Sequence, residues 1–368
     1  MLRVLFLLVL VGGNVSAAAA QDPEAKARPH HQSPVPTMRL AASKFLDSLS
    51  PALSKQALFS LAHPERRHWS NLPSTMFERK GVSFGEMSAA QAVLAHDLLR
   101  STLSSQGYLK TSSIMYLDEV LKNLATAANP GRDFSDMFGQ GLYWIGIFGD
   151  PAKDSSWGWQ LDGHHLALNI TVVGEAVSIT PAFMGSDPAE VREGAFAGWM
   201  IQQAEDEKGL LLYQSLDSTQ RAMALIADTA PDDVITGPNR GDQLTTPAGL
   251  PVSKLNDSQR TLFKQLLREY VHNYKDAIAH QQLHRIHRTG IDKIYFAWAG
   301  VAEDEPYYYR IHGPTILIEF DNNYAPGSDA GPINHIHTVF REPGNDYGED
   351  LLKQHLEESP HHQAPADQ

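Results

Sequence analysis

Two hydrophobic periods alternate along this chain. After the polar capping residues in 87–91, Leu94, Leu98 and Leu99 fall on one face of a helix, and after those in 255–259, Leu262, Leu266 and Leu267 do the same. Shorter helical patterns occupy 53–61 and 218–226. Downstream of each long helix the period changes from that of a helix to that of strands. Residues 143–148 and 157–169 read as strands in the first half, and 294–298 and 307–319 in the second. Each half therefore predicts helix, helix, then a meander of about four strands.

The order of these signals suggests an internal duplication. The segment Trp157-Gly158-Trp159-Gln160-Leu161-Asp162-Gly163-His164-His165 lies against Tyr307-Tyr308-Tyr309-Arg310-Ile311-His312-Gly313-Pro314-Thr315, with an apolar strand and an acidic turn before each. Glu319 and Asp321 then correspond to Asn169 and Thr171, and the strand carrying His335 and His337 corresponds to 177–182, which has no ionisable group. The expectation is an α+β protein of two degenerate helix-then-β-meander repeats, 38–185 and 186–357. They would pack as one unit around an antiparallel sheet covered by helices.

Two strands near the C-terminus concentrate the chemistry. Ile316-Leu317-Ile318-Glu319-Phe320-Asp321 is followed after a Pro- and Gly-containing return by Asn334-His335-Ile336-His337-Thr338-Val339-Phe340-Arg341. Residues i and i+2 of a strand share a face about 6.5–7 Å apart. Glu319 and Asp321 thus point one way, and so do His335 and His337. An antiparallel hairpin would bring the four together. Two imidazoles and a carboxylate suit a divalent transition metal, zinc or another, and the same groups suit acid–base work. The competing reading is a hydrogen-bonded polar cluster in which Arg341 pairs the carboxylates.

Gly163-His164-His165 sits at a strand–strand corner. Alternation puts His164 with Asp162 and His165 on the opposite face, so only one of them joins a given site unless the corner distorts the strand. A rival set, His280, His284 and His287, shares one helical face. Its basic, amide-rich surroundings and the following Gly290 fit the solvated C-terminal end of a helix.

Composition narrows the function classes. Arg3, the apolar residues 4–11 and Ala18-Ala19-Ala20 have the layout of a secretory signal over 1–20, so the expected location is periplasmic or extracellular. The apolar run is shorter than the roughly 20 residues that span a bilayer. A polar leader, 21–37, and a His-rich tail, 358–368, flank the repeats. The chain has no Cys, which removes disulfides, thiolate catalysis and Cys-based metal sites. Its net charge of −13 becomes −14 without Arg3, which disfavours nucleic acid as a partner. No Gly-rich phosphate loop, H-E-x-x-H or G-x-S-x-G motif is present.

The segments "WGWQLDGHHLALNITV", "YFAWAG", "YYYRIHGPTILIEFDN" and "NHIHTVFREPGNDYGEDLLKQH" resemble the signatures of domain-of-unknown-function family 3500, over nearly the whole mature chain. That family comprises exported bacterial and fungal proteins, and the resemblance implies no activity. It directs attention to Trp159, Gly163, His164, His165, Tyr309, Arg310, Glu319, Asp321, His335, His337, Arg341 and His355.

Two functional expectations follow. One is an exported metal-dependent hydrolase acting on a small polar or anionic substrate. Its ligands would be His335 and His337 with His164 or His165, its catalytic carboxylates Glu319 and Asp321, and Arg310 or Arg341 would hold an anionic group. The other is a non-catalytic exported protein that binds a small polar ligand on the same patch.

Overall fold

The computed structural model describes residues 32–301, 305–324 and 333–358. The signal-like segment 1–20, most of the leader and all but one residue of the tail lie outside the described residues. In chain order the first elements are α1 (Val35–Ser48), α2 (Pro51–Ala57), β1 (Leu58–Phe59), β2 (Val82–Ser83), α3 (Ala89–Thr102) and α4 (Ser105–Ala128). Strands β3 (Tyr143–Phe148), β4 (Ser156–Gly163), β5 (Leu166–Val173), β6 (Ala176–Ser178), β7 (Ala182–Ser186), β8 (Glu190–Val191) and β9 (Trp199–Met200) follow. The second run comprises α5 (Gln203–Gln214), α6 (Ser218–Ala224), β10 (Leu225–Ala227), β11 (Leu250–Pro251), α7 (Asp257–Val271) and α8 (Asp276–Thr289). It ends with β12 (Tyr295–Ala299), β13 (Tyr307–Gly313), β14 (Ile316–Tyr324), β15 (Ile333–Arg341) and α9 (Glu349–Glu358).

The helix starts follow from local chemistry. Ser88 and Asn256 each accept a backbone N–H from the Gln three residues on, and that Gln side chain accepts the cap residue's own N–H. Two otherwise unpaired donors are satisfied at each start. Gly290, at φ 99°, ends α8 in a conformation that other residues seldom adopt. His280, His284 and His287 lie on the exposed side of α8, as the polarity of that segment implies.

The fold is α+β, with a large and mostly antiparallel sheet. Its strand order is β1-β3-β4-β5-β7-β15-β14-β13-β12-β10. Read from either edge the pattern is alike. A short strand pairs parallel to β3 or β12, a second short strand pairs antiparallel to it, and a meander runs inward to the central β7–β15 pair. From Ser33 on, the described residues fall in one compact unit.

The two faces of this sheet differ in chemistry. One carries Trp159, Leu168, Met184, Phe340, Ile318, Tyr309 and Phe296, packed on Phe45, Leu98, Ile114, Phe263 and Ile286 of the helices. Burial of this apolar layer supplies the main cohesion, at about 25 cal/mol per Å² removed from water. The other face carries Gln160, Asp162, Asn169, Arg310, Glu319, Asp321, His337 and Arg341, all buried. A smaller apolar cluster, Trp69, Ala167, Phe183, Val234 and Val339 with Tyr347 beside it, also sits there. Polar groups removed from water need partners. Here the partners come largely from loops folded over this face rather than from helices.

Candidate metal centre

The site forms where the central strands meet the β4–β5 turn. In the β14–β15 ladder Asp321 lies opposite His337, and in the β15–β7 ladder His337 lies opposite Gly185. His164 and His165 occupy the turn, with His165 at φ 59°. That left-handed residue breaks strict alternation, and the two rings stack with centroids 3.9 Å apart instead of facing opposite ways. The expected pairing of His164 with Asp162 does not occur. Asp162 is held by Arg79 at 3.0 Å, and His164 Nδ1 lies 2.6 Å from Asp118 Oδ1 on α4. The backbone of His165 is fixed from both sides, by Asn71 O at 3.2 Å and by Gly185 N at 2.7 Å.

Three imidazoles converge. His165 Nε2 and His335 Nε2 are 2.8 Å apart, and the His337 ring centroid is 4.3 Å from that of His335 and 5.1 Å from that of His165. One ring nitrogen from each of the three lies within 4.8 Å of the others. His164 stands outside this trio. Gly185 makes the close approach possible. A Cβ there would meet Cδ2 of His165 and Cδ2 of His337, each at 3.0 Å, and Ile336 O at 2.9 Å.

Carboxylates surround the trio. His337 Nδ1 lies 3.0 Å from Asp233 Oδ1 and 3.9 Å from Asp321 Oδ2. His337 Nε2 and Asp321 Oδ2 are both buried without a hydrogen-bond partner. Burial pushes the pKa of His165 well below the ordinary imidazole value, and the imidazoles of His164, His335 and His337 add to the shift. His335 is likewise well below it, through burial and then the charges of His337 and His164. His337 goes the other way. Burial lowers it, but the bond to Asp233 and the charges of Asp321, Asp233 and Asp187 outweigh that. Burial lifts Asp321 to about 7 and Asp187 to about 6, in each case against the pull of His337.

Glu319 and Arg341 have a different setting from the trio. Glu319 is fully buried and accepts from Ile235 N at 2.8 Å, Thr236 N at 2.9 Å, Tyr308 Oη at 2.6 Å and the Thr236 hydroxyl. Arg341 donates to Thr236 O at 2.7 Å, Gly237 O at 2.9 Å and Asp346 Oδ2 at 2.5 Å. Both side chains staple the loop that carries Asp233, and neither stands free for a substrate. Arg310 is buried opposite Glu319 on β13, and its Nε lacks a hydrogen-bond partner.

Asp118, Asp187 and Asp233 were not legible as site residues. Asp118 left one trace. It occupies the i+7 position of the buried stripe Thr111, Ile114, Met115, Asp118, where an apolar residue is expected. Asp233 and Asp187 lie in loops with no spacing signal.

A family model described as "Protein of unknown function (DUF3500)" matches residues 31–349. The chain belongs to that family. No match to it was found among curated proteins or among solved structures.

Proposed function

We propose that this protein is a metal-dependent hydrolase that holds a divalent transition metal, zinc or another of that class, on His165, His335 and His337. The observation that carries the reading is the convergence of one ring nitrogen from each of three imidazoles, together with a His337 Nε2 that is buried and unpartnered. A buried polar nitrogen without a partner is costly, and a ligand would remove the cost. The His337–Asp233 contact is the carboxylate–imidazole pairing that fixes ring orientation and tautomer at metal sites. The lowered pKa values of His165 and His335 keep both rings in the neutral, ligating form.

The surrounding residues support catalysis more than storage. A metal bound here would supply Lewis acidity and a water of lowered pKa. Asp187, lifted by burial to about 6 against the charges of His164 and His337, adds a further carboxyl whose charge His337 feels. Asp118 orients His164, whose ring buttresses His165. His335 is half-buried, which leaves one side of the trio open to a small polar substrate. The second reading, a non-catalytic binding protein, is favoured by one observation: Arg341 is consumed by loop carbonyls and cannot clamp an anion. Export is proposed only from the signal-like segment 1–20.

The test is metal analysis of the full chain purified without a histidine tag, followed by hydrolysis assays on small esters, amides and phosphoesters. Stoichiometric metal lost in the His335→Ala/His337→Ala variant supports the site, and unchanged metal content rejects it. Metal with no turnover of any substrate in the panel moves the assignment to the binding protein. Affinity should also fall as pH drops, because His337 favours its charged form and protons then compete for the ring.

A further inference from the structure

The metal centre proposed above uses one edge of the His337 ring. The other edge is equally built. Its Nδ1 faces Asp233 Oδ1 at 3.0 Å and Asp321 Oδ2 at 3.9 Å, and one ligand atom from each of the three residues lies within 4.8 Å of the others. Asp321 is 1% exposed, and its Oδ2 has no hydrogen-bond partner. Each edge of this one imidazole thus ends in a buried polar atom without a partner, His337 Nε2 on the nitrogen-rich side and Asp321 Oδ2 on the oxygen-rich side.

We infer that the protein holds two divalent cations bridged by the His337 imidazole, the second bound by His337 Nδ1, Asp321 and Asp233. This inference rests on the three-histidine reading for its first ion.

The ligand chemistry differs between the two positions. The first is all imidazole, while the second adds two carboxylates to one nitrogen, a set that suits a borderline cation such as zinc or copper(II). Asp233 is already positioned for it. Its Oδ2 is paired with Arg240 at 2.7 Å, while its Oδ1 accepts from Val234 N at 2.8 Å and faces the ring. The loop bearing Asp233 is fastened by Glu319 and Arg341, so the carboxylate is placed before any ion arrives. Entry of the second cation replaces the Nδ1 proton, which leaves to solvent, and the ring becomes an imidazolate bonded through both nitrogens. In the absence of that cation the same Nδ1–H donates to Asp233.

The experiment loads the full chain, untagged and stripped with chelator, with copper(II), then counts ions per chain and records the electron paramagnetic resonance spectrum. The expected result is two ions per chain with the copper signal diminished by interaction across the bridge. Asp321→Asn should then hold one ion with an ordinary isolated signal. Asp233→Asn, which leaves the core intact, should do the same if Asp321→Asn fails to fold. One ion in the wild type overturns the bridge and leaves the three-histidine site standing. No ion overturns both. Two ions in both carboxylate variants also overturn the bridge, since the second ion then sits elsewhere, such as on the exposed histidines of α8.

Discussion

At the residue scale the site depends on what is small and what is buried. Gly185 has no side chain, and the rings of His165 and His337 close over it. Gly185→Ala would place a methyl 3.0 Å from both rings, so the rings or β7 must shift by several tenths of an ångström. The expected outcome is metal affinity reduced about 10–100-fold, the range seen when the surroundings of ligands are disturbed. Isothermal titration would check it, and unchanged affinity would show that the ring spacing is not critical. His312 offers a separate test away from the trio. Burial and the nearby Arg310 lower its pKa from 6.5 to about 4. Folding therefore favours the neutral ring, so its contribution to stability is fully present above about 6.5 and is lost as pH falls through about 4. The melting temperature of wild type should fall relative to that of His312→Gln as pH drops across that window. A gap that stays constant from pH 7 to 4 would contradict the shift. The sequence marked His164, His165, His335 and His337, because adjacent or alternate histidines are visible as spacing. It could not mark Asp118 or Asp233, because a contact across a fold leaves no local period.

At the scale of elements, strand alternation was legible and its covering was not. Glu319 and Asp321 do share a face with His337. What alternation cannot say is what lies over that face. A loop from 233 to 237 descends on Glu319, whose two oxygens take four donors. Glu319→Ala would leave these buried donors without an acceptor, at about 1–3 kcal/mol for each that water cannot reach. Chemical denaturation should show a loss of at least about 3 kcal/mol. The variant should bind metal more weakly as well, because Asp233 loses its anchor. Full stability with metal binding intact would mean that the loop is held by Arg341 alone. The corner at His164 and His165 teaches the same lesson. Alternation separates two adjacent side chains, but a left-handed residue at the turn brings both rings to one side.

At the scale of the whole molecule, the sheet is ordered alike from both edges, with β7 and β15 in the middle. A common origin of the halves remains a proposal, and it has a geometric test. Superposition of 38–185 on 186–341 should bring α3 onto α7 and the Gly163 corner onto the Gly313 corner. Corners in unrelated settings after the best fit would make the sequence match accidental. By itself the sequence determined the periodic features: helix caps at Ser88 and Asn256, the α+β succession, and two histidines on one face of β15. These depend on interactions within a few residues, which composition and spacing encode directly. Only the tertiary structure decided that His165 would meet His335, 170 positions later, with Nε2 atoms 2.8 Å apart. That meeting requires the β15–β7 pairing and the β4–β5 turn together. It also decided that Asp118 and Asp233 would flank the histidines, because a helix and a loop distant in sequence satisfy polar groups that the sheet buries.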